Sequence, residues 1–142
     1  MDDAERRAVL DAWFRAYASR VLPYLVHRTD AETAKDVLQE VFVIAFAKVH
    51  EVPEPPLGWL FGTARRLLAN RYRSNRRHDR LVARLLEDVS EQTDPETYEL
   101  KLAFAQTLAT LSGPDPEVLT LTGWYDLTAS QAADALGCTP TA

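Results

Sequence analysis

The chain has 142 residues, 46% hydrophobic and 26% charged, with a formal net charge of -5. That length suits one ordinary domain or two small ones, and the acidic balance argues against indiscriminate coating of nucleic acid. A single cysteine, Cys138, excludes an internal disulfide. The three histidines (His27, His50 and His78) lack ligand spacing, which argues against a structural zinc site. The start, MDDAERR, lacks the apolar core of a signal peptide, and the longest apolar run, Val41 to Ala47, is far short of the roughly 20 residues that cross a bilayer. These features predict a cytoplasmic protein without membrane association.

Few glycines and no alternation at period two predict an all-α chain. The first helix is expected from about Asp3 to His27, with Val9, Trp13, Phe14, Tyr17, Val21, Leu22 and Leu25 as its apolar stripe. Pro23 is expected to kink or split it. Thr29 and Glu32 have capping-box spacing for a second helix reaching about Val49. Its apolar face holds Val37, Leu38, Val41, Phe42, Ala45 and Phe46, while Asp36, Gln39, Glu40 and Val43 turn toward another side. Such a mixed polar and apolar face has the make-up of a protein interface, although an ordinary solvated surface also accounts for it.

His50 to Gly58 contains three prolines and a glycine, which forbid regular helix and predict a stiff loop, with Pro56 in the first turn of the next helix. The segment after the loop, Trp59 to Arg80, carries Arg65, Arg66, Arg71, Arg73, Arg76, Arg77 and Arg80 against one acid, Asp79. At helical spacing Trp59, Thr63, Arg66, Asn70, Arg73 and Arg77 share one face, and Leu60, Ala64, Leu67 and Leu68 another. Like charges at this density repel one another and do not support a helix through opposite-charge pairs. Planar guanidiniums beside a stiff loop match what single-stranded nucleic acid requires, with phosphates gripped by the helix and a splayed strand held by the loop.

After Arg84 the only basic residue is Lys101, so the charge divides into a basic middle and an acidic second half. Residues 85–94 read as a linker. Asp94-Pro95 starts a helix to Leu111, Asp115-Pro116 starts another to about Trp124, and Thr128 with Gln131 caps a short helix, Ala129 to Leu136, ended by Gly137. Ala132, Ala133 and Leu136 fit a close helix crossing, and the order of elements is that of a helix-turn-helix. Its reading helix would begin at Thr139-Pro140, and the sequence ends at Ala142, which is expected to be a truncation. No Gly-rich phosphate loop, metal constellation or catalytic triad is evident, so neither an enzyme nor a cofactor is expected.

The stretches TDAETAKDVLQEVFVIAFAKV and PLGWLFGTARRLLANRYRSNRR, separated by the proline loop, resemble domain 2 of bacterial sigma factors, above all the extracytoplasmic-function (ECF) group of the sigma-70 family. Residues from Leu108 to Ala142 are similar to an incomplete domain 4. The resemblance implies a helical domain 2 of three to four helices over 1–84, a linker over 85–94 and a partial helix-turn-helix domain 4 over 95–142. It implies binding of core RNA polymerase, through its β′ clamp helices, by Asp36, Gln39, Glu40 and Val43. It also implies capture of the −10 non-template strand of promoter DNA by His50, Trp59, Arg65, Arg66, Asn70, Arg73, Arg76 and Arg77. An anti-sigma protein is a further partner that the resemblance admits. Melting would draw on preferential binding of the open strand, leaving synthesis to the polymerase. The rival readings are a sigma-like decoy or adaptor without promoter reading, and a helix-turn-helix repressor that binds duplex DNA without polymerase.

Overall fold

The computed structural model describes residues 1–71, 77–90, 94–110 and 115–137. Among them the chain is all-α, as the composition predicts. It divides into two units, Met1–Arg73 with Ala129–Ala142, and Ser74–Thr128.

In the first unit, α1 (Asp3–Arg28) opens on a capping box. The Glu5 amide donates to Asp2 Oδ1 (2.8 Å) and the Asp2 amide to Glu5 Oε2 (3.3 Å). The helix runs through Pro23 as one element, so Pro23 does not split it. It buries Leu10, Trp13, Ala18, Val21, Tyr24 and Leu25. The buried face is therefore rotated from the expected stripe, and Phe14 is left 48% exposed. Its last turn is pinned by Arg28, whose guanidinium lies 3.7 Å from the Tyr24 ring centroid and donates to the Tyr24 carbonyl.

That buried terminus makes Thr29 the end of α1 and moves the start of α2 (Ala31–Ala47) by one residue. The cap is Asp30, whose Oδ1 accepts from the Thr33 amide at 2.8 Å, and not Thr29 as the spacing predicted. Val37, Leu38, Val41 and Ala45 are buried as expected. A 3-10 turn, Val49–Glu51, anchored by buried Val49, leads into the proline loop. The loop delivers Pro56, whose carbonyl accepts from the Leu60 amide at 2.9 Å, to the start of α3 (Leu57–Arg71). Leu57, Leu60, Phe61, Ala64 and Leu68 bury against α1 and α2 to complete a three-helix bundle. Tyr24 and Phe61 meet edge to face with ring centroids 5.2 Å apart, an arrangement that adds about 1 kcal/mol beyond the area buried.

A fourth helix, α7 (Ala129–Leu136), packs on α3 within this same unit. Gly58 and Gly62 make the approach possible. A Cβ on Gly62 would lie 2.9 Å from the Ala135 carbonyl oxygen, and one on Gly58 would collide with the Gln131 carbonyl and the Asp134 Cβ. Ala132, Ala133 and Ala135 are buried. Gly137, at φ 70, ends α7 in the left-handed region, as the sequence predicts. Ala129–Ala142 is grouped with the first unit and the residues before it, to Thr128, with the second. The expected reading helix, from Thr139, lies outside the described residues.

The second unit holds α4 (Arg77–Ser90), α5 (Pro95–Ala109), α6 (Asp115–Leu119) and a π-helical turn (Thr120–Trp124). The expected linker over 85–94 is helical as far as Ser90. The reason is the buried face of α4: Leu81, Val82 and Leu85 form a core with Ala105, flanked by Phe104 and Trp124. Pro95 takes the first position of α5, as predicted. Asp94 before it accepts from the Glu96 amide (3.2 Å) and the Thr97 hydroxyl (2.6 Å). The π-helical turn brings Gly123 against the edge of the Phe104 ring, which a side chain there would have to displace. Asp126, at φ 59, then redirects the chain.

Leu85 is fully buried in this small core. Leu85→Ala is expected to destabilise the second unit by about 2–5 kcal/mol. Hydrogen exchange resolved by segment should show faster exchange in α4 and α5, with α1 to α3 unchanged. A linker residue would show no such loss.

Candidate nucleic-acid and protein interface

The cationic site begins with α3. Arg65, Arg66 and Asn70 are exposed along its length, and His50 is exposed on the 3-10 turn before the proline loop. Trp59 is half-buried at the start of the helix. Thr63, expected on the open face, is instead 3% exposed, and its Oγ1 accepts from Arg66 Nη2 at 3.2 Å. Thr63 therefore steadies the base of the Arg66 guanidinium while the side chain stays open to solvent.

The continuous arginine helix expected from Trp59 to Arg80 is two helices among the described residues, since α3 ends at Arg71 and α4 opens at Arg77. Arg73 and Arg76 lie outside the described residues. Arg77 opens α4, in the second unit. Arg71 is ion-paired with Glu40 of α2. Both partners are substantially exposed, so the pair contributes at most about 1 kcal/mol. Its consequence is positional: it ties the end of α3 to the middle of α2 and joins the cationic site to its neighbour.

That neighbour is the outer face of α2. Asp36, Gln39, Glu40 and Val43 are all exposed, at i, i+3, i+4 and i+7, and so share one face. Val43 is 69% exposed, an unusual position for a β-branched apolar residue in mid-helix. Beside it runs a groove of about 790 Å³ between α1 and α2, lined by Leu10, Phe14, Gln39, Phe42, Val43 and Phe46, with Arg7 and Asp11 at its rim. Phe14 and Phe42 stand edge to face, with centroids 5.2 Å apart. The groove escaped sequence reading because Phe14, Phe42 and Phe46 sit at apolar positions that periodicity assigns to a core. Their excess over the residues needed to cover α3 was the available signal.

Among the described residues no group of three His, Cys, Asp or Glu side chains converges on a metal position, and no helix is long and apolar enough to cross a membrane.

The first unit thus presents exposed arginines on α3 and an apolar groove between α1 and α2, on an all-helical frame. Residues 11–78, a little under half of the chain, match the model of Sigma-70 region 2. The match spans α1 from Asp11, α2 and α3, which are the elements that carry both faces. Over these residues the chain is similar to region 2 of the sigma-70 family. No curated protein and no solved structure matches the chain.

Proposed function

We propose that the chain is a cytoplasmic sigma factor of the ECF type, which binds core RNA polymerase and captures the −10 non-template strand during promoter opening. The observation that carries the reading is the placement of two unlike faces on one small bundle. Exposed Arg65, Arg66 and Asn70 lie on α3, and the Val43-centred face with its groove lies on α2. In this reading Asp36, Gln39, Glu40 and Val43 dock on the β′ clamp helices, and the groove extends that contact with apolar anchors inside a polar rim. The α3 guanidiniums grip phosphates, Trp59 offers a stacking surface, and His50 with the proline loop borders an unstacked base. Opening is driven by preference for the single strand, which requires no nucleotide hydrolysis and no catalytic group on this chain. Residues 95–142, in the same reading, derive from domain 4, and an anti-sigma protein is the partner expected to cover the α2 and α3 faces before polymerase does.

The adaptor reading keeps the polymerase contact and omits strand capture. The Arg71–Glu40 pair favours it, because one arginine of the cluster is occupied by the protein's own carboxylate. A mixture of the chain, core polymerase and a fluorescein-labelled single-stranded promoter oligonucleotide separates the two. The sigma reading predicts that the complex retains the strand better than core polymerase alone. Formation of the protein complex with no gain in strand retention would leave only the adaptor.

A further inference from the structure

The contact between α7 and α3 has a direction. Gln131 and Asp134 lie at Gly58, and Ala135 lies at Gly62, so α7 runs the same way along the ridge as α3 itself. Four-residue steps on a helix advance by only about 40°, so Gly58, Gly62, Arg66 and Asn70 form one slowly turning ridge. Its first half seats α7, and its second half carries two exposed residues of the candidate strand site. The C-terminal end of α7, with the partial negative charge of a helix terminus, therefore points toward the level of Arg66. Asp134 adds an exposed carboxylate near the start of the ridge. A strand lying along the ridge would meet the α7 backbone at Gly58 and Gly62, and negative charge where its phosphates must pass.

We propose that α7 is an internal latch on α3: seated on Gly58 and Gly62, it excludes the single strand from the first half of the ridge, and the strand and α7 compete. This rests on the strand-capture reading above. Glycine at these two positions is what lets the latch close. The nearest atoms to a Cβ on Gly62 all belong to the Ala135 backbone, so a side chain there strikes α7 and not the α1–α2–α3 core.

The test uses the full chain with Gly62→Leu and, from the other side of the contact, Ala135→Leu, which leaves the α3 sequence untouched. Hydrogen exchange of residues 129–136 reports whether α7 is unseated, and retention of the labelled single strand by the chain and core polymerase reports the coupling. The latch predicts faster α7 exchange in both variants and about tenfold tighter strand retention. Faster exchange with unchanged or weaker retention would overturn the latch while leaving strand capture intact. Unchanged exchange in both variants would overturn the seat itself. If wild type and both variants fail to retain the strand although polymerase binds, the strand-capture reading falls and the latch falls with it.

Discussion

Arg65→Glu combined with Arg66→Glu will weaken strand retention by the polymerase complex about 100-fold, while association with core polymerase stays within twofold of wild type. The magnitude follows from losing two charge-assisted contacts at roughly 1.5 kcal/mol each, the low end for bonds to charged groups. Both side chains are exposed on α3, and Arg66 gives up its bond to Thr63 Oγ1. Circular dichroism and thermal unfolding should remain near wild type. Lysine at the same positions should restore much of the binding, because it keeps the charge and loses only the planar fork. Equal losses of strand and polymerase binding would indicate that α3 belongs to the protein interface.

The second large effect is expected on the neighbouring face of α2. Val43→Asp should weaken association with core polymerase by about 2 kcal/mol, roughly thirtyfold, the size of a hot-spot loss. Val43 is 69% exposed, so stability in isolation should change by about 0.5 kcal/mol or less. A solvated surface position predicts no change in either quantity. Phe14→Ser, at the far wall of the groove, should weaken association in the same sense if the groove is part of the contact. Size-exclusion chromatography of mixtures with core enzyme measures both.

What the sequence disclosed best was local. Asp94-Pro95, the loop around Pro55 and Pro56, and Gly137 each punctuate the chain through constraints that act within a few residues, and the helices start and stop at these points. The buried side of α2 followed from its period, because the other wall of its core is a helix of ordinary spacing. The misreadings came where the deciding partner is distant in sequence. The cap of α2 is the local exception: Arg28 packs on Tyr24, four residues earlier, and Asp30 takes the place of Thr29. The polar run after Leu86 hid the end of α4, whose helicity is decided by Leu81, Val82 and Leu85 packing on Ala105 and Phe104. The partner of α7 was decided by two glycines four residues apart on α3, more than 60 residues upstream. That spacing was visible, but nothing in it names the helix that fills it. The candidate site was legible in the same proportion. The charge of α3 and the mixed face of α2 were written in the sequence, whereas the groove, the burial of Thr63 and the tie between Arg71 and Glu40 depend on how α1, α2 and α3 meet.

The salt dependence of strand retention tests the central claim most directly, because counterion release counts phosphate contacts without presuming the promoter sequence. For single strands each contact contributes about −0.7 to the slope of log affinity against log salt. The complex of wild-type chain with core polymerase should therefore give a slope steeper than that of the Arg65→Glu, Arg66→Glu complex by about 1.4. Identical slopes for the two complexes would show that these guanidiniums touch no phosphate, and would contradict the account of α3 as the surface that holds the open strand.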